Sequence, residues 1–81
     1  MSTPLGAVIA RNVRAERARL DWSQEKLAVA LGWSATTVSN LEAGRRNVLA
    51  DDLVPLCRAL RVTFAQLVDR ADEEDRGTLG L

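Results

Sequence analysis

One segment, SQEKLAVALGWSATTVSNLEAG at residues 23–44, constrains this chain more than any other. Ser23 can cap a helix by accepting from backbone N–H groups two or three positions on. Leu27, Ala28 and Leu31 fall on one helical face. Gly32 follows, and glycine takes the left-handed conformation that ends a helix without steric cost. Ser34 offers a second N-cap almost at once, Val38 and Leu41 make a second apolar stripe, and Gly44 closes the unit. Ala28 supplies the small side chain that two steeply crossing helices need at their contact. The segment therefore predicts two short helices joined by a tight turn, a helix-turn-helix unit. The outer face of its second helix is small and polar.

These residues resemble the phage repressor/Cro-type family of helix-turn-helix domains, the XRE family. The match is carried by SQEKLAVALG, the turn pair Trp33-Ser34, and TVSNLEAGRRN. VRAERARLDW before the motif resembles the family's first helix, and DDLVPLCRALRVTFAQLV after it resembles the last two. The resemblance implies a compact all-α domain of five helices whose third helix enters the major groove of duplex DNA.

Composition limits the alternatives. There is no histidine and one cysteine, Cys57, so an ordinary zinc site, a histidine-based triad and an internal disulfide are ruled out. A lone thiol suits a reducing cytoplasm. No apolar run is long enough for a membrane span, and MSTPLGAV lacks the pattern of a secretory signal. No cofactor, metal or small-molecule substrate is expected. The net charge is zero but unevenly distributed. Through residue 68, nine basic residues face six acidic ones, a balance of +3, and from residue 69 on the balance is −3. Residues 1–69 are expected to form the helix-turn-helix domain and residues 70–81 an acidic, weakly ordered tail. The tail reads as a solubilising end or as a competitor for the DNA-binding surface.

Along the chain, helix one is expected from about Leu5 to Leu20, with Leu5, Ile9, Val13 and Leu20 inward and Pro4 at its start. Helix two is expected over Gln24 to Leu31 and helix three over Ala35 to Ala43. Helix four places Leu53, Leu56, Cys57 and Leu60 at core spacing. Because Pro55 is tolerable only in or near a first turn, this helix should begin late, near Asp51 or Asp52. Arg61 stands where many relatives carry glycine. Thr63 to Gln66 forms a capping box for helix five, with Phe64, Leu67 and Val68 inward. Trp22 is expected in the core.

Arg17 interrupts the apolar stripe of helix one, and Glu42 sits beside Val38 and Leu41. Taken alone, these charges fit either a pair or two separate excursions to solvent. The family resemblance implies a partly buried ion pair between the first and third helices. It also implies that Ala35, Thr36, Ser39 and Asn40 meet base edges. Asn40 is the prime candidate, since an amide pairs bidentately with adenine. No lysine or arginine lies on that face, which shifts the expected preference toward A·T pairs. Phosphate contacts are expected from Gln24, Thr37, Arg45, Arg46 and Asn47, although Thr37 fits base, phosphate or local backbone contacts equally. Trp33 reads either as partly buried or as a donor to a phosphate.

The sequence therefore points to a cytoplasmic, sequence-specific double-stranded DNA-binding regulator. A repressor acting as a homodimer on a palindromic operator fits best, and the family resemblance implies the helix four to helix five edge, Val62 to Val68, as the dimer surface. A restriction-modification controller, an antitoxin-type autoregulator and a protein-docking module are the rival readings.

Overall fold

Helix starts and stops in this chain follow the caps its sequence supplies. The structure, a computed structural model, describes residues 4–81. The reading of the extreme N-terminus as free of a signal falls partly on residues outside that range. Six helices follow one another: α1 (Leu5–Arg19), α2 (Gln24–Leu31), α3 (Ala35–Glu42), α4 (Ala50–Leu60), α5 (Phe64–Leu67) and α6 (Glu73–Thr78). Among the described residues there is no strand, and no helix is long and apolar enough to cross a membrane.

Ser23 Oγ accepts from the Lys26 N–H at 3.1 Å, and Ser34 Oγ accepts from the Thr37 N–H at 3.1 Å. Between them Gly32 takes φ 72°, and the Trp33 N–H closes the α2 terminus on the Ala28 carbonyl at 2.9 Å. Thr63 and Gln66 cap α5 reciprocally, at 2.8 and 3.1 Å. The Trp33 and Ser34 bonds lie within the turn that joins α2 to α3.

The core is one cluster drawn from every helix but α6. Val8, Val13, Leu27, Leu56, Leu60, Leu67 and Val68 are fully buried, and Val38 and Leu41 anchor the inner face of α3. Ala28 is 3% exposed at the α2 crossing, where a larger side chain would push the helices apart. Trp22 is half-buried at the edge of the cluster rather than inside it, with the Lys26 ammonium 5.5 Å from its ring centre. A ring set at the edge keeps its N–H near water.

Helix four starts near Asp51 and Asp52, as expected. It begins at Ala50, ahead of Asp51 and Asp52, so Pro55 falls in its second turn. Proline removes the N–H that would bond the Asp51 carbonyl. Asp51 and Pro55 both lie on the solvent side, so water can take that carbonyl. The start is held by Asp52, whose carboxylate reaches back to the Leu49 N–H at 2.8 Å. Arg61 ends the helix with φ 57°, doing with a side chain what glycine does more cheaply. The left-handed conformation costs a non-glycine residue about 1–2 kcal/mol.

The acidic C-terminal segment carries a short helix. Asp72 accepts from the Glu74 N–H at 2.9 Å and starts α6, with three acids in the first turn and Arg76 in the last. That charge order matches the helix dipole. Ala71 is only 9% exposed, and the Asn12 amide donates to the Leu67 and Asp69 carbonyls, both at 2.8 Å. Helix one therefore holds the chain at the point where it enters the acidic segment.

Candidate nucleic-acid interface

Helix α3 carries eight residues, and its inner stripe is used up by Val38 and Leu41. At about 100° per residue, Thr36, Ser39, Asn40 and Ala43 share the opposite face. Thr36 and Ala43 are exposed, and Ser39 and Asn40 are half-buried. The side chains of Thr36, Ser39 and Asn40 make no hydrogen bond among the described residues. Their donors and acceptors stand free on a helix held firmly from behind. Ala35 lies to the side, half-buried against the core. Ala43 extends the face by a turn, although the sequence reading used it only to end the helix. Thr37 turns its hydroxyl to Ser34 Oγ at 2.9 Å, so much of its bonding capacity serves the α3 cap.

Arg17 and Glu42 meet across α1 and α3. Arg17 Nε donates to Glu42 Oε2 at 2.7 Å and Nη2 donates to Oε1 at 3.0 Å, a bidentate pair. Nη1 donates to the Trp22 carbonyl at 2.8 Å. The Glu42 side chain is 4% exposed and that of Arg17 16%. The bond to Glu42 raises the Arg17 pKa above its ordinary value against the opposing effect of burial. Gln24 joins the pair, its Nε2 donating to Glu42 Oε1 at 3.1 Å. The first residue of α2 is thereby tied to the last residue of α3.

Of the residues after α3, Arg45 and Asn47 are exposed and open to an anion. Arg46 is differently placed. It donates to Asp52 Oδ2 at 2.8 Å, and its guanidinium lies 4.7 Å from the centre of the Trp33 ring. This pins the loop between α3 and α4 to the turn of the helix-turn-helix unit. Trp33 is half-buried beneath it. No helical spacing relates Trp33, Arg46 and Asp52, so the cluster had no periodic signal in the sequence.

The cluster predicts a pH response. Its bond to Arg46, reinforced by the Leu49 N–H, holds the Asp52 carboxyl below its ordinary value of 3.8, against burial. A depressed native pKa contributes stability above the unfolded value, and that contribution is lost as pH falls through the native value. Asp52→Asn is therefore expected to cost about 1–2 kcal/mol near neutrality. The gap between the two chains should close in acid, below the ordinary carboxyl range. Urea unfolding at several pH values measures this, and a gap independent of pH would contradict the assignment.

On another side of the molecule, Leu53, Val54, Cys57, Val62 and Phe64 line an apolar groove of about 480 Å³ between α4 and α5. Burial raises the Cys57 thiol above its ordinary pKa. The groove overlaps only part of the Val62 to Val68 edge, since Leu67 and Val68 are fully buried and turned inward.

A compact helical domain with a capped helix-turn-helix unit and an unpartnered outer face on its second helix defines a class. The description "Helix-turn-helix domain" matches residues 8–71, and the chain belongs to that family. It is 39% identical over 64 residues to a hypothetical transcription factor of Neisseria meningitidis, a match covering 79% of this chain and 60% of that protein. The chain thus spans less than two thirds of that relative. The crystal structure of a hypothetical Neisseria transcription factor superposes with a TM-score of 0.75 at 36% identity, over 94% of this chain and 85% of that one. An uncharacterised HTH-type transcriptional regulator of Sinorhizobium fredii is 39% identical over 56 residues, or 69% of this chain and 73% of its own length. The restriction-modification controller C.AhdI from Aeromonas hydrophila matches with a TM-score of 0.71 and 29% identity, over 76% of this chain and 94% of that one.

Proposed function

We propose that this chain is a sequence-specific double-stranded DNA-binding transcriptional regulator, acting as a homodimeric repressor on a palindromic operator. The outer face of α3 carries this reading, because Thr36, Ser39 and Asn40 are presented without internal partners on a helix fixed by two caps and an ion pair. Asn40, Ser39 and Thr36 read bases, with Ala35 at the margin. Gln24, Thr37, Arg45, Arg46 and Asn47 hold phosphates, and Arg46 does so only as far as its bond to Asp52 allows. Residues 1–69 carry every group used for DNA in this reading, and residues 70–81 are an extension of opposite charge. Recognition here is non-covalent and uses no metal or cofactor. The cytoplasm is where such a regulator works.

One short helix makes few base contacts, and pairing two copies multiplies them. The α4–α5 groove supports a dimer, since Leu53, Val54, Val62 and Phe64 give a continuous apolar surface at one edge. The likeness to C.AhdI supports a narrower reading as the controller of a restriction-modification operon. Selection of bound sites from a random duplex pool tests the proposal. A two-fold symmetric, A·T-weighted consensus is expected, and no affinity for any duplex at low salt would favour the protein-docking reading.

A further inference from the structure

Helix α1 brings two arginines to the rim of the proposed DNA surface, and neither has a partner among the described residues. Arg11 and Arg14 lie one turn apart and are both exposed. Ala7, Ala10, Arg11 and Arg14 form one wall of a shallow cleft whose other wall is Glu42, Ala43 and Gly44. The small side chains of Ala7, Ala10 and Ala43 let α1 come close to the end of α3. Arg14 also borders the next cleft, with Gln24, Ser39 and Ala43. It therefore stands between the start of α2 and the groove-facing side of α3.

Charge decides what can sit there. Glu42, the acid in both clefts, is already engaged: Oε2 accepts from Arg17 Nε, and Oε1 from Arg17 Nη2 and Gln24 Nε2. Arg17 therefore balances Glu42 and leaves Arg11 and Arg14 as uncompensated charge. The acids of the C-terminal segment do not neutralise them. That segment is held by Asn12, two residues from Arg14 and about 200° away around the helix. Arg76 of α6 shares a cleft with Glu16, Gln66 and Asp69 on the same far side.

We infer that Arg14, assisted by Arg11, binds a phosphate of the duplex backbone beside the C-terminal end of α3. This extends the footprint to a helix outside the helix-turn-helix unit. The inference rests on the DNA-binding reading, and its test separates the two. Each phosphate neutralised contributes about 0.9 to the slope of log affinity against log salt on duplex DNA. The probe is a random-sequence duplex titrated with the full chain between about 50 and 200 mM salt. Arg14→Ala should lower the slope by about 0.9, so the affinity lost across that range shrinks about 3.5-fold. Arg14→Lys should keep most of the slope, since the charge stays. Arg19→Ala, which removes an exposed arginine paired with Glu16 and outside both clefts, should leave it unchanged. Thermal melting of each variant checks that the fold survives. A slope for Arg14→Ala equal to that of the unaltered chain would overturn the inference and leave the DNA-binding reading standing. An unaltered chain that binds no duplex would overturn both.

Discussion

Arg17→Ala is expected to destabilise the fold by about 3 kcal/mol, and Glu42→Ala by clearly less. The asymmetry follows from burial and reach. Without Arg17, a carboxylate that is 4% exposed keeps only the Gln24 amide, and the Trp22 carbonyl loses its donor as well. Without Glu42, the arginine is already 16% exposed, keeps its bond to Trp22, and has a flexible stem that can carry the charge toward water. Removing both should cost less than the sum of the single losses, because no orphaned charge remains. A double-mutant cycle by denaturant unfolding reads both points. Strict additivity, or a larger loss for Glu42→Ala, would sink the account. Glu42→Ala also frees Gln24, so its effect on duplex affinity should exceed what its modest loss of stability explains.

Most of the architecture was legible because it is written in short-range chemistry. Ser23, Gly32, Ser34, Thr63 and Gln66 each act on groups a few residues away, and each does in the structure what its position implies. The face of α3 was legible for the same reason, since Val38 and Leu41 claim one side and leave Thr36, Ser39 and Asn40 on the other. Legibility ends where distant groups decide. At the start of α4 the Asp52 carboxylate caps the Leu49 N–H while Arg46 holds it in place, a tie that helical spacing does not announce. After residue 70, charge density masks a short helix with an Asp72 cap and a dipole-matched charge order, and no spacing announces the grip of Asn12 on the Leu67 and Asp69 carbonyls. From the sequence Arg46 is expected only as a phosphate contact, because nothing in sequence spacing places Trp33 beneath it. Nothing in the spacing of the sequence sets Arg11 and Arg14 apart from the other basic residues of α1. Only the packing of α1 against the end of α3 brings them beside the candidate interface.

Asn40→Ala should relax preference at one base pair by about 1–3 kcal/mol while leaving affinity for unrelated duplexes nearly unchanged. The variant is a clean probe, because the structural work of Asn40 lies in its backbone. Its carbonyl accepts from the Arg45 N–H at 2.8 Å and the Arg46 N–H at 3.2 Å, and alanine keeps both bonds. The amide has no internal partner, so its loss leaves no buried group unsatisfied. Arg45→Ala should behave in the opposite way. Arg45 is exposed and unpaired among the described residues, so its removal should weaken all duplexes alike and lower the salt slope by about 0.9. Arg46→Ala mixes effects, since it also breaks the bond to Asp52 and uncovers Trp33, and should lower the melting temperature. Competition binding against a panel of single-base variants of the selected site separates these outcomes. If Asn40→Ala preserved the ranking of that panel, direct readout by this residue would be refuted, and specificity would have to come from Thr36, Ser39 or the shape of the duplex.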